Sequence, residues 1–228
     1  TNEVQVESYA RGTEGRVTPL AWKVVDAEYD RAGDRVIAVS AEPSALRILN
    51  PFTLEEASVA LDFTPLAVSV SPDGSRAVVG HDGRISVVAL SPPAVERTIE
   101  VSARADEVML GGDWAWVFPG LDQPEAIYAI ELATGNVTTV TGSGIHDGTK
   151  ARLHPDGTRI YGADNGLTPS DVHRFDVDGG QITWAWDSPY HGDYPMCGNL
   201  WIFETGDRIL TACGTVLRAA ATQEEDLT

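Results

Sequence analysis

The sequence predicts an all-β protein, a β-propeller built from four-stranded antiparallel blades. Three observations carry that prediction. A glycine-centred turn of fixed chemistry recurs along the chain, its glycines falling at positions 33, 74, 112, 157 and 206, in steps of 41, 38, 45 and 49 residues. Each copy leads into apolar runs rich in β-branched residues and bounded by Gly, Pro, Asp and Asn. Helix signals are weak throughout, and the strongest, residues 51–58, reads better as a turn between strands. A period of about 40–45 residues with four strands per unit marks propeller blades.

The clearest copy is residues 65–90. Residues 67–70 alternate large and small side chains, as a strand with two different faces does. Ser71-Pro72-Asp73-Gly74 turns the chain: Pro presets φ, Asp bonds its own backbone, and Gly accepts a positive φ. Residues 76–79 resume extended structure, residues 80–83 turn again, and residues 85–90 form a third strand. The same turn recurs at Gly33-Asp34-Arg35, Gly157-Thr158-Arg159 and Gly206-Asp207-Arg208, with a degenerate copy lacking the Arg at Gly112-Asp113-Trp114. Third strands follow at 45–49, 84–88, 126–130, 171–175 and 215–218, and fourth strands at 57–61, 96–101, 136–140 and 181–186. The units run over residues 19–64, 65–103, 104–144, 145–189 and 190–228, one propeller domain without linkers.

The Ser71-Pro72-Asp73-Gly74-Ser75-Arg76 turn between two strands resembles that of bacterial YVTN/YncE-like and WD40-like β-propellers. The resemblance covers about residues 24–218 and implies a fold that mostly serves as a scaffold. The Gly-His and Trp-Asp pair of WD40 repeats is lacking at the usual places, and there is no literal Tyr-Val-Thr-Asn, so no subfamily follows.

Ring closure has two readings. Val4-Gln5-Val6-Glu7 alternates and supplies the outer strand of the last blade, or the ring is incomplete and needs a further propeller segment or a second chain. The fifth unit stops after its third strand in a polar tail, residues 222–228, which favours the incomplete ring. Residues 11–15 read as a loop.

The net charge is −18, from 34 acidic and 16 basic residues, which disfavours nucleic acid and anionic membranes as partners and favours cations or basic partners. No run approaches the roughly 18 apolar residues of a spanning helix, so no membrane insertion is expected.

Strand direction sorts the loops. With strands A to D antiparallel, every B–C loop and D–A connector lies on one face, and the A–B and C–D turns lie on the other. His81 and Asp82 fall in a B–C loop, and His146, Asp147, His191 and Asp193 in D–A connectors, all on one face. The same face receives the long loops 118–125 and 163–170 and the aromatic connector with Tyr190 and Tyr194. His154 lies on the opposite face, and His173 within a C strand. Imidazole and carboxylate are apt ligands for a divalent cation, the one cofactor this set admits, although Asp and His also populate turns beside Gly for structural reasons. The tyrosines offer stacking to a sugar or peptide. Trp114, Trp116, Trp184, Trp186 and Trp201 alternate within strands and are expected in the packing between blades.

Cys197 and Cys213 flank a hairpin. With a three-residue loop at 204–206, Phe203 faces Asp207, Trp201 faces Ile209 and Cys197 faces Cys213, close enough for a disulfide. A disulfide implies a periplasmic or secreted protein. There is no phosphate loop, dinucleotide fingerprint, nucleophile elbow or His-Glu-x-x-His, so no catalytic residue is assigned. The expected function is a non-catalytic scaffold binding a protein or a small polar ligand on the B–C/D–A face. The alternatives are a hydrolase or lactonase with a divalent cation in the central funnel, or an assembly domain of a longer protein.

Overall fold

A computed structural model describes residues 6–8, 16–120 and 125–228. The loop expected at 11–15 and the tip of the 118–125 loop lie outside the described residues. Strands β1 (Val6–Ser8) and β2 (Arg16–Thr18) form a small hairpin of their own. Five antiparallel sheets follow, arranged in a ring. Blade 1 holds β3 (Asp26–Asp30), β4 (Arg35–Ala41), β5 (Ser44–Leu49) and β6 (Glu56–Ala60). Blade 2 holds β7 (Ala67–Val70), β8 (Arg76–Leu90) and β9 (Pro93–Arg104). Blade 3 holds β10 (Glu107–Gly111), β11 (Trp114–Phe118), β12 (Glu125–Glu131) and β13 (Val137–Ile145). Blade 4 holds β14 (Lys150–Leu153), β15 (Arg159–Asp164), β16 (Asp171–Asp178) and β17 (Gln181–Asp187). Blade 5 holds β18 (Leu200–Ile202), β19 (Arg208–Thr211) and β20 (Val216–Arg218).

β8 supplies two strands. Its first part pairs with β7 and its last with β9, and Leu90 N donates to Ser75 O at 2.9 Å, so the run doubles back. The fold occurs at Asp82-Gly83, where Gly83 adopts φ +75°. Blade 2 is therefore four-stranded, as blades 1, 3 and 4 are.

The repeated turn has one backbone geometry in three blades. Ser71, His154 and Phe203 N donate to Arg76, Arg159 and Arg208 O at 2.9, 2.8 and 2.9 Å, while Gly74, Gly157 and Gly206 N donate back to Ser71, His154 and Phe203 O. Those glycines adopt φ +67°, +73° and +72°, a region that costs an L residue with a Cβ. In blade 1 the positive φ passes to Asp34, at +50°.

Alternation along each strand sends its side chains to two neighbouring blades. Ala77 and Val79 pack with Ile37, Val39 and Leu46 between blades 1 and 2, while Val78 packs with Val108, Leu110 and Val117 between blades 2 and 3. Met109, Trp116 and Phe118 meet Ile160 and Phe175 between blades 3 and 4, and Tyr161, Ala163 and Val172 meet Leu200, Ile209 and Leu217 between blades 4 and 5. Among the described residues no such apolar cluster joins blade 5 to blade 1. There, Arg31 Nη2 reaches Ile202 O at 3.5 Å, while Tyr29, Trp201, Phe203 and Val216 stay exposed.

The first strands of successive blades approach one another and line the ring's inner side. Asp26 Oδ2 accepts from Val68 N at 2.9 Å, Glu28 Oε2 from Val70 N at 2.8 Å, and Ser69 Oγ from Leu110 N at 3.1 Å, each linking one blade to the next. Glu107, 2 % exposed, takes Lys150 Nζ at 2.8 Å and also pairs with Arg152. Burial pushes the Glu28 carboxyl up to about 7, against the pull of Arg152 and the Val70 amide.

Two expectations are corrected here. β1 pairs with β2 and adds no strand to blade 5, so the alternating N-terminal run does not close the ring; Val4 and Gln5 lie outside the described residues. The five sheets form the ring themselves, where the ragged last repeat favoured an incomplete one. The polar tail is also ordered against the blade. Arg218 N donates to Thr228 O and Leu227 N to Arg218 O, so the tail runs back along β20, with Leu227 buried in the core between blades 4 and 5. Asp226 beside it accepts from Tyr161 Oη at 2.9 Å, Trp186 Nε1 at 3.1 Å and Ala220 N at 2.8 Å, and pairs with Arg174 at 3.1 Å.

Cys197 and Cys213 form a disulfide, with Cα atoms 5.5 Å apart. The register that suggested it is one residue out: Trp201 faces Leu210 and Ile202 faces Ile209, across a four-residue turn. The strands stop at Leu200 and Thr211, and Gly198, at φ +78°, bends the chain so that the thiols still meet. Of the tryptophans, Trp116 is buried and Trp114 and Trp186 pack against the cores, but Trp184 and Trp201 are exposed.

Candidate functional site

The loop end of blade 4 gathers six titratable side chains. Antiparallel pairing does this: Asp164 ends β15 opposite Asp171 at the start of β16, and His173 on β16 stands opposite Asp187 at the end of β17. The connectors then add His146 and His191. His146 Nδ1 lies 2.6 Å from Asp164 Oδ2, with His173 Nε2 at 3.7 Å from the same oxygen. His191 Nδ1 lies 3.0 Å from Asp171 Oδ2, and its Nε2 4.0 Å from Asp187 Oδ2.

Local bonds hold these residues in place. Thr149 Oγ1 donates to His146 O at 2.7 Å, closing the turn that carries His146. Asn165 ties three loops together: its Nδ2 donates to Gly148 O at 2.9 Å and Gly198 O at 3.0 Å, and its Oδ1 accepts from Gly198 N at 2.6 Å. Ser188 N donates to Val172 O and Asp193 N to Tyr190 O, shaping the connector that carries His191. Trp184 Nε1 donates to His173 Nδ1 at 3.3 Å, which leaves the proton of a neutral His173 ring on Nε2, toward Asp164.

Asp171 has the most unusual environment. One oxygen accepts from its own Val172 N at 2.7 Å. The other is buried, has His191 Nδ1 beside it at 3.0 Å, and accepts no well-formed hydrogen bond among the described residues. Burial holds its carboxyl above the usual range, and Asp187 adds to that. Burial holds His173 below its usual range, against the opposing field of Asp164, Asp171 and Asp187. One oxygen each from Asp171 and Asp187 and one nitrogen from His191 lie within 4.8 Å of one another.

The other expected residues are placed as follows. His81 is fully buried, its Nδ1 3.0 Å from Thr64 O and its Nε2 2.9 Å from Ser86 Oγ, so its ring serves the core of blade 2. Asp82 is exposed and stands opposite Arg104. Asp147 and Asp193 are exposed on the same connectors as His146 and His191 but outside the cluster. Tyr190 packs on the core between blades 4 and 5, and half-exposed Tyr194 meets it edge-on at 5.0 Å, forming an aromatic rim beside His191. His154, on the opposite face, bonds Gly206 O at 2.6 Å and joins two turns. A cavity of about 520 Å³ lies elsewhere, between Arg208, Leu217 and Thr228, at the turn end of blade 5.

Asp164, Asp171 and Asp187 were missed as site residues, and His173 was set aside as a strand residue. Their signal is positional: the last residue of a B strand and the first of its C strand face each other at the loop end.

No family model matches the sequence, and a search of curated proteins returns no significant relative. Solved structures do resemble it. The hydrazine synthase of Kuenenia stuttgartiensis superposes with a TM-score of 0.59 at 15% identity, over 96% of this chain and 84% of that one. A functionally unknown protein from Desulfotomaculum acetoxidans superposes with a TM-score of 0.64 at 12% identity, over 93% and 77%. At such identities the shared property is the fold, and by its architecture this chain is a five-bladed β-propeller.

Proposed function

We propose that the chain is a binding scaffold that works outside the cytoplasm and takes a small polar ligand or a protein loop on the B–C/D–A face of blade 4. The observation carrying this reading is the concentration there of Asp164, Asp171, Asp187, His146, His173 and His191 beside the Tyr190–Tyr194 rim. The Cys197–Cys213 bridge supports an oxidising compartment. The Ser71–Arg76 turn and its copies support kinship with YVTN/YncE-like or WD40-like propellers, which mostly act as scaffolds.

The competing reading is a hydrolase or lactonase with a cation in the central funnel. It needs free carboxylates on the ring's inner side, and those there already hold partners: Asp26 the Val68 amide, Glu28 the Val70 amide, Glu107 Lys150 and Arg152. That favours the scaffold. The test is a thermal-shift panel of monosaccharides and dipeptides on the wild type and Tyr194→Ala, run with a lactone hydrolysis assay. The scaffold reading expects a stabilising compound whose effect Tyr194→Ala removes. Cation-dependent lactone turnover above the buffer rate would replace it with the enzyme.

A further inference from the structure

We infer that the loop end of blade 4 holds one divalent transition-metal ion of the zinc class, ligated by Asp171, Asp187 and His191, with its remaining positions open to water or to a bound ligand. The inference deepens the binding-face reading above and rests on it only for the location.

The donor set comes first. Two carboxylates and an imidazole converge, and their donor atoms lie within 4.8 Å of one another. Ligands on a tetrahedral zinc ion are about 3.4 Å apart, given metal bonds of about 2.0–2.2 Å. His191 Nδ1 and Asp171 Oδ2 are already at 3.0 Å, so a small rotation of the exposed His191 and half-buried Asp187 side chains completes the set. Imidazole points away from calcium and magnesium, which prefer shells made wholly of oxygen. Two carboxylates balance the charge of a divalent ion.

The independent observation is the orphaned oxygen of Asp171. The residue is 6 % exposed, and Oδ2 accepts no well-formed hydrogen bond among the described residues, its close polar neighbour being His191 Nδ1 of the same donor set. A buried acceptor without a partner is a standing cost to the fold. This one is aimed at the two other donors, where a cation would satisfy it. The position of His191 is built as well. Its neighbour Gly192, at φ +94°, packs so closely on Pro169 that an added Cβ would come within 3.0 Å, which sets the connector over the carboxylates. On the other side, His146 and His173 engage Asp164, keeping that third carboxylate out of the donor set.

The test is calorimetric titration of EDTA-treated, dialysed protein with zinc chloride, and with calcium and magnesium chloride for comparison. The variants are Asp187→Asn, at a half-buried position, and His191→Ala, at an exposed one, with Asp147→Asn and Asp193→Asn as controls on the same face. Asp171→Asn is added with a melting curve to confirm that it folds. One zinc per chain is expected, weakened roughly ten-fold or more by each of the Asp187 and His191 changes and unchanged by the controls. Absence of zinc binding by the wild type, binding that survives both changes, or a preference for calcium would each overturn the assignment. Loss of zinc binding with the Tyr194-dependent shift intact would remove the ion and leave the binding face. The converse result would remove the organic ligand and leave the ion.

Discussion

Replacing Glu28 by Gln should remove a pH dependence built into the inner ring. Glu28 Oε2 accepts from Val70 N, and burial pushes its carboxyl up to about 7, against 4.5 for a free glutamate. A raised folded value means that its contribution is fully present below pH 4.5 and lost as pH rises through 7. That shift corresponds to about 3 kcal/mol of stability lost between acid and mildly alkaline pH. Gln keeps the acceptor oxygen and stays neutral, so the variant escapes the loss. Urea denaturation of both proteins from pH 4.5 to 8 reads the difference directly, and comparison with the wild type cancels His81 and His173, whose lowered values act in the opposite sense. The stability gap should widen toward pH 8 by about 3 kcal/mol, or roughly 6–12 °C in Tm for a chain of this size. A gap that is constant with pH would refute the reasoning. So would a variant that loses ground at pH 8, which would mean that Arg152 stabilises the ionised Glu28 by more than its burial costs.

Two further outcomes follow from the packing of blade 5. Reducing the Cys197–Cys213 bridge, or changing both cysteines to Ser, should cost about 3 kcal/mol in chemical denaturation, the value for a loop of this length, and alkylation without reductant should add no label to the intact mass. Asp226→Ala should cost about 3–5 kcal/mol, because it strands Arg174, Tyr161 and Trp186 in a buried site, whereas Glu224→Ala, two residues away on the exposed surface, should leave the melting curve within error.

The architecture was readable because the turn chemistry is local. Gly74, Gly157 and Gly206 each need a positive φ, and that need shows in the residues themselves. The disulfide was readable for a looser reason: the two cysteines flank one hairpin, so a register error of one residue still left them adjacent once Gly198 bent the chain. The site was only half legible. His146 and His191 stand out because they interrupt loops, but their carboxylate partners sit at strand ends, where an Asp looks like an ordinary boundary residue. Pairing Asp164 with Asp171 and His173 with Asp187 requires the exact cross-strand register, which loop lengths alone do not supply. His81 shows the opposite failure. It shares the loop position of the others, but Thr64 and Ser86 occupy both ring nitrogens, and only tertiary packing reveals that. Asp226 lay in a tail that composition marked only as polar; the buried Leu227 beside it packs that tail into the core between blades 4 and 5.

Five sheets joined by four apolar cores behave as a bracelet without a clasp. Among the described residues, each internal blade is gripped on both sides by apolar packing, while blades 1 and 5 are so gripped on one side only and meet across a polar contact. In a nearest-neighbour array of this kind the end units are the first to open. The bridge at Cys197–Cys213 and the anchor at Leu227 both fall in one end unit, blade 5, and together they act against unravelling from that side.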